Sequence, residues 1–159
     1  MRVTIYSMQW LETRIPPPLA GLVFAVLMLW VAWAIPSFDH AAMRVILPAI
    51  LGVAGLGVIA SAIIEFRRAS TTVDPRHPSK ASTLVQTGIF SRSRNPMYVG
   101  LTLILTGWAF YLANLLALVL AALFAVYLNR FQIIPEERAL QERFGAAYAE
   151  YRGRVRRWI

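Results

Sequence analysis

Long apolar segments dominate the pattern of hydrophobic and polar positions along this chain. A helix that crosses a bilayer needs about 20 predominantly apolar residues, within a range of about 17–25. Four segments approach this length, and each contains a run of 14 or more residues without a charged side chain. The pattern therefore predicts an all-α integral membrane protein with four transmembrane helices, at about 17–35, 45–65, 97–112 and 115–134.

The boundary between the third and fourth segments is only Ala113-Asn114. One long helix is the alternative, but its length would exceed a bilayer core of about 30 Å. A tight helical hairpin is therefore favoured. In the second segment Gly57 and Ser61 are four residues apart, a spacing typical of close helix packing.

Two polar regions complete the pattern. The central segment, residues 67–96, is long for a loop, and loops of this length are usually functional or disordered. Its stretches Thr83-Leu84-Val85 and Gly88-Ile89-Phe90 are too apolar for a solvated tether and favour an ordered, ligand-covering loop. In the tail, residues 135–152 predict an amphipathic helix with one apolar face, which lies on the membrane or folds over the mouth of the bundle. That face carries Leu140, Phe144, Tyr148 and Tyr151.

Charge adds a topology to this picture. The 159 residues include 16 Lys plus Arg against 8 acids, with six basic residues in 65–96 and seven from Arg130 onwards. The segment 36–44 contains a single Lys or Arg, Arg44. The positive-inside rule therefore predicts cytoplasmic N- and C-termini and a cytoplasmic central loop. Because the basic residues flank apolar segments, we expect contact with the lipid bilayer rather than with nucleic acid. With no cysteine and only two histidines, we expect no metal site.

Candidate chemistry begins at residues 94–100, where a basic loop turns into the third apolar segment. Asn95 is a good N-cap and Pro96 suits the first helical position. A helix N-terminus beside the Arg94 guanidinium predicts an anion site. A second cluster, residues 136–138, follows the fourth segment, although acids at a helix start also serve as ordinary charge compensation. Arg130 lies near the membrane boundary, where an arginine snorkels to water or pairs.

Two stretches resemble the signature of the isoprenylcysteine carboxyl methyltransferase family and its phospholipid methyltransferase relatives. They are residues 84–90, Leu-Val-Gln-Thr-Gly-Ile-Phe, and residues 93–100, Ser-Arg-Asn-Pro-Met-Tyr-Val-Gly. The similarity continues from Glu136-Glu137 to Val155 and covers roughly the C-terminal half. It implies one membrane methyltransferase domain over 1–159 that uses S-adenosylmethionine (SAM). The cofactor would lie between the central loop, the start of the third helix and the C-terminal segment.

By position, the resemblance implies two groups of cofactor-binding residues. The adenosine side would be formed by Ser82, Thr83, Leu84, Val85 and Phe90. The methionine end would be held by Asn95, Pro96, Met97 and Tyr98, with Arg94 at the same helix start. Glu136 corresponds to the acid that binds the cofactor, and Glu137 supports it. Asn95 stands where the family commonly has histidine, and the position of the family's substrate-orienting arginine is occupied by either Arg130 or Gln132.

The predicted function is in-line methyl transfer to a lipophilic acceptor that arrives from the membrane, at the cytoplasmic face. Alignment and exclusion of water would then accelerate the reaction, without a protein nucleophile. Arg130 would orient an anionic acceptor such as a carboxylate, and Glu137 would handle the proton of an amine. The alternatives are N-methylation of a phospholipid or small amine, an NADPH-dependent membrane reductase, and a non-catalytic membrane protein.

Overall fold

A computed structural model describes residues 15–35, 41–69 and 83–159. Within these ranges the protein is helical and contains no β-strand. The described residues form five α-helices: α1 Pro17–Ala34, α2 Ala41–Arg68, α3 Pro96–Leu112, α4 Leu115–Leu128 and α5 Ile134–Arg154. A 3₁₀ turn, Gly88–Ser91, precedes α3. A π-helical segment, Asn129–Ile133, joins α4 to α5 without a break.

Three helical stretches of the described chain are long and apolar enough to cross a membrane: Pro17–Ala34, Arg44–Arg68, and the run Leu115–Arg154 whose apolar part is α4. The 17-residue α3 is apolar but shorter. Apolar side chains cover the outer surface of α1 and α2, and Leu22 and Val53 are 60% and 73% exposed. Soluble monomers rarely expose such a continuous apolar surface, which is suited to contact with lipid.

Among the described helices, α2 and α3 share the most extensive contact, and their backbones approach closely at Gly55 and Gly100. A Cβ atom added to Gly100 would lie 2.6 Å from the carbonyl oxygen of Gly55 and 2.5 Å from Cγ1 of Ile59. Only glycine permits this approach. The prediction that Gly57 and Ser61 make the close contact is wrong: a Cβ at Gly57 would meet nothing within 4 Å, and Ser61 Oγ donates to the Gly57 carbonyl of its own helix.

The hairpin between α3 and α4 is built by the two residues at the predicted break. Ala113 adopts a left-handed conformation with φ 49°, which ends α3. The Asn114 Oδ1 atom accepts hydrogen bonds from the amides of Leu116 and Ala117, at 3.0 and 3.2 Å, and so caps α4. Its Nδ2 donates to the carbonyl of Ile35 at 3.2 Å and ties the end of α1 to the hairpin.

The polar helix α5 bends over the end of the bundle. Gly145 has φ 51° and ψ −119°, so the helix is broken there, whereas the sequence pattern predicts one helix over 135–152. Tyr148 and Tyr151, in the second half, are 1% and 3% exposed. The Tyr151 hydroxyl donates to the Phe90 carbonyl at 2.7 Å. The tyrosine face of α5 therefore packs against the 3₁₀ turn.

Candidate functional site

A cavity of about 390 Å³ opens where the start of α1, the end of α2, the start of α3 and both halves of α5 meet. The 3₁₀ turn and the residues before it form one wall. Most of the lining is apolar or aromatic. Pockets that hold small molecules share this character, with a few polar groups that fix orientation.

Nearly all of the predicted site residues lie around this cavity. The lining includes Thr83, Leu84, Val85, Phe90, Arg94, Asn95, Pro96, Met97, Tyr98, Glu136 and Glu137. Residues separated by more than 50 positions in the chain therefore share one space. Ser82 lies outside the described residues, together with the rest of residues 70–82 of the predicted loop 67–96.

The two candidates for the substrate-orienting position do not line the cavity. Arg130 lies in the π-helical segment, with its guanidinium carbon 5.5 Å from the ring centroid of Phe131. Gln132 is fully buried, and its Nε2 donates to the carbonyl of Ile15 at 2.8 Å. Gln132 therefore anchors the residues that lead into α1 to the π-helical segment.

A carboxyl group faces the start of α3 across the cavity. The Tyr98 hydroxyl donates a hydrogen bond to Oε1 of Glu136. Tyr98 lies in the first turn of α3 and is 6% exposed, while Glu136 lies in the first turn of α5. This bond connects the two helix starts and fixes one oxygen of the carboxyl group at the cavity wall.

A second carboxylate organises the arginines beside the cavity. Glu137 Oε1 lies 3.1 Å from Arg94 NH1, and the two side chains are only 11% and 8% exposed. Arg157 donates from Nε to Oε1 of Glu137 at 3.0 Å and from NH2 to Oε2 at 2.7 Å. Glu137 therefore holds two guanidinium groups, and a charge-assisted network of this kind is stronger than neutral hydrogen bonds.

The helix start at Asn95 differs in detail from the prediction. Asn95 occupies the N-cap position of α3, but its side chain makes no capping hydrogen bond. Its Nδ2 donates instead to the carbonyl of Arg157 at 2.9 Å. The Ser93 hydroxyl accepts from the Asn95 amide at 3.1 Å. The amide side chain is thus used to attach the end of the chain to the start of α3.

The wall formed by the 3₁₀ turn is held by residues that sequence reasoning missed. Glu65 at the end of α2 accepts a 2.6 Å hydrogen bond from the Thr87 hydroxyl. Phe66 packs edge-on against Phe90, with ring centroids 5.0 Å apart. Glu65 is the only acid in Ala41–Arg68, and a lone acid after an apolar run is a signal that could have identified it.

The lining combines one arginine, two carboxyl groups and several aromatic rings among the described residues. This set suits a ligand that carries both a carboxylate and positive charge together with a flat ring system. No group of three or more His, Cys, Asp or Glu in the described part of the chain lies together as metal ligands would.

Comparison with known proteins gives this geometry a family. The family described as phospholipid methyltransferase matches residues 43–147, well over half of the chain. A Haemophilus influenzae protein described as "Uncharacterized protein" is 43% identical over 63 residues, which are 40% of this chain and 100% of that protein. No solved structure matches the chain. The resemblance seen in the motifs is confirmed, and the chain belongs to the phospholipid methyltransferase family of membrane methyltransferases.

Proposed function

We propose that this protein transfers a methyl group from SAM to a lipophilic acceptor that enters from the bilayer. One observation carries the proposal: a single cavity joins the polar cluster of Arg94, Glu136 and Glu137 to apolar residues at the ends of membrane helices, such as Pro17 and Leu101. A polar cofactor and a lipophilic acceptor need a space of this mixed character in order to meet.

The cavity residues fit SAM in three respects. The volume of about 390 Å³ lies within the range of about 300–1,000 Å³ that holds small ligands. The Nε of Arg94 is buried and has no acceptor among the described residues, and a ligand carboxylate is the kind of acceptor that this donor lacks. The carboxyl group of Glu136 is suited to the positive charge of the ligand.

The same fit supports a division of the cavity into two ends. We assign the adenosine to the wall of Thr83, Leu84, Val85 and Phe90, with Ser82 beside them, because aromatic and apolar side chains favour a flat purine. We assign the methionine end to residues 94–98 and Glu136, where the start of α3 provides the positive end of a helix dipole.

When bound, SAM supplies an electrophilic methyl group on a sulfonium sulfur. The chain contributes binding, orientation and exclusion of water. Tyr98 fixes the Glu136 carboxyl group by its hydrogen bond, and Glu137 fixes Arg94 by its ion pair. Side chains held in this way lose little freedom when ligand binds, which favours a single productive alignment.

The acceptor has two candidates. A carboxylate, as in the isoprenylcysteine enzymes, would be oriented by Arg130. An amine, as in a phospholipid headgroup, needs no arginine to orient it. Two observations support this acceptor: Arg130 does not line the cavity, and Arg94, the one arginine of the described lining, is already paired with Glu137. Glu137 would then receive the amine proton only by giving up part of its contact with an arginine.

We further propose four membrane crossings with both termini in the cytoplasm. The cavity is lined by the start of α1, the end of α2, and the starts of α3 and α5, all at one end of the bundle. Four alternating crossings bring these helix ends together on one side. The excess of basic residues in 65–96 and in the tail supports the cytoplasmic side.

Transfer of radiolabelled methyl groups from SAM tests the function. Purified protein would be supplied separately with vesicles that contain an aminophospholipid and with a prenylcysteine analogue, followed by extraction of the lipid. Label in either acceptor supports the proposal and identifies its class. Label lost in Glu136→Gln and retained in Glu142→Gln, an exposed glutamate of the same helix, would assign it to this cavity. An absence of label with both acceptors would contradict the proposal.

A further inference from the structure

The last residues of the chain, Val155–Ile159, follow α5 as a non-helical segment that we call the C-terminal strap. Its central residue, Arg157, contacts three separate parts of the protein. The guanidinium donates twice to Glu137 in α5, as described above, and NH1 donates to Oδ1 of Asn129 in the π-helical segment at 3.0 Å. The carbonyl of Arg157 accepts from Asn95 at the start of α3.

The strap also holds the residue that precedes Asn95. The Arg94 amide donates to the carbonyl of Arg156 at 3.0 Å. Arg94 and Asn95 are therefore both bonded to consecutive carbonyls of the strap, one through the main chain and one through the side chain. Two consecutive attachments fix both the position and the direction of the segment that enters α3.

The side chain of Arg157 is 32% exposed, but its charge is firmly held. Its hydrogen bond to Glu137 raises the pKa of the Arg157 guanidinium above its ordinary value. A planar guanidinium can meet both oxygens of Glu137 and still reach Asn129, whereas a lysine ammonium presents no such fork. The geometry is therefore specific to arginine.

Arg157 lies outside the family match at 43–147 and outside the cavity lining. From these contacts we propose that Arg157 is a positioning residue of the SAM site. It holds Glu137, and through Glu137 and the strap carbonyls it fixes Arg94 and Asn95 at the cavity. This inference rests on the proposed function.

The physical consequence of losing Arg157 follows from the network. Glu137 would keep its ion pair with Arg94 but lose the one with Arg157, and Oδ1 of Asn129 would lose the hydrogen bond from Arg157 NH1. Arg94 would then be free to follow the Glu137 carboxylate away from its position at the cavity. We expect weaker SAM binding rather than a slower reaction of bound substrate.

The test compares the affinity of the purified protein for SAM in four forms: wild type, Arg157→Ala, Arg157→Lys and Arg152→Ala. Arg152 is an exposed arginine of the last turn of α5 and serves as the matched control. We expect Arg157→Ala to raise the dissociation constant about tenfold or more and Arg152→Ala to leave it within about twofold. Arg157→Lys is expected to lie between them and covers the case in which Arg157→Ala does not fold.

Chemical rescue separates positioning from a general loss of structure. Millimolar guanidinium chloride should restore SAM affinity to Arg157→Ala and should not restore it to Glu137→Gln. Wild-type binding that Arg157→Ala and Arg157→Lys both retain within about twofold would overturn this inference and leave the proposed function intact. Weakened binding without rescue by guanidinium would also overturn it, because it would indicate a structural role alone. Wild-type protein that does not bind SAM would overturn both.

Discussion

Tyr151→Phe tests how the 3₁₀ turn is attached to α5. Tyr151 is 3% exposed, and its hydroxyl donates to the carbonyl of Phe90 at 2.7 Å. Phenylalanine keeps the ring and its packing but removes the donor. The Phe90 carbonyl is then left buried without this partner, and an unsatisfied buried acceptor costs about 1–3 kcal/mol.

A loss of about 2 kcal/mol in the free energy of unfolding lowers the melting temperature of a chain of this size by about 4–8 °C. The assay is thermal unfolding of the ligand-free protein in detergent. Tyr148→Phe is the matched control, because Tyr148 is 1% exposed but its hydroxyl is 3.5 Å from Arg94 NH1, at the limit of a hydrogen bond. We expect a change below about 0.5 kcal/mol for Tyr148→Phe.

Equal destabilisation by the two substitutions would refute this reasoning, since it would show that the hydroxyl positions do not decide the cost. A neutral Tyr151→Phe would refute it more directly. In that case the contact between α5 and the 3₁₀ turn would depend on ring packing alone.

Three further predictions concern the backbone and are checked by the same unfolding assay. Gly100→Ala places a Cβ about 2.5 Å from atoms of α2 and should lower the free energy of unfolding by about 1–3 kcal/mol or more. Gly57→Ala meets open space and should leave stability unchanged or raise it slightly. The opposite order would contradict the contact between α2 and α3. Asn114→Ala removes the cap of α4 and should cost about 1–2 kcal/mol; no loss would show that the hairpin does not need the cap. Gly145→Ala forces a side chain onto φ 51° and should cost about 1–2 kcal/mol, while Gly153→Ala should not; equal effects would argue against the bend in α5.

Local sequence signals predicted the features that depend on neighbouring residues. The apolar runs gave helices, because each run is long and free of charge. Ala113-Asn114 marked the α3–α4 hairpin, because asparagine is a strong N-cap and the combined segment is too long for one crossing. The same sequence motifs led to a family that the comparison with known proteins confirmed. The number of crossings and their orientation remain predictions.

Features that depend on the rotation of one helix against another were not predictable in this way. Gly52, Gly55 and Gly57 all lie in one apolar helix, and only the packing of α3 selects Gly55 for the close contact. The sequence pattern favoured Gly57 because its spacing to Ser61 is the usual one. Spacing within one helix does not reveal which face meets the neighbour.

Contacts that depend on the path of the chain after α5 were also missed. Arg157 in a basic tail indicates topology, and nothing in its spacing distinguishes it from Arg156. Its partner Glu137 is 20 residues away, and both the break of α5 at Gly145 and the start of the strap lie between them. The Asn95 side chain donates its hydrogen bond to the strap carbonyl of Arg157 and makes no capping hydrogen bond to α3.

Calorimetric titration of SAM into the purified protein tests the central claim most directly, with NADPH titrated in parallel. We predict that SAM binds to the wild type and to Glu142→Gln, that Glu136→Gln abolishes or strongly weakens this binding, and that NADPH does not bind. Binding of NADPH without SAM, or SAM binding that Glu136→Gln leaves unchanged, would contradict the account.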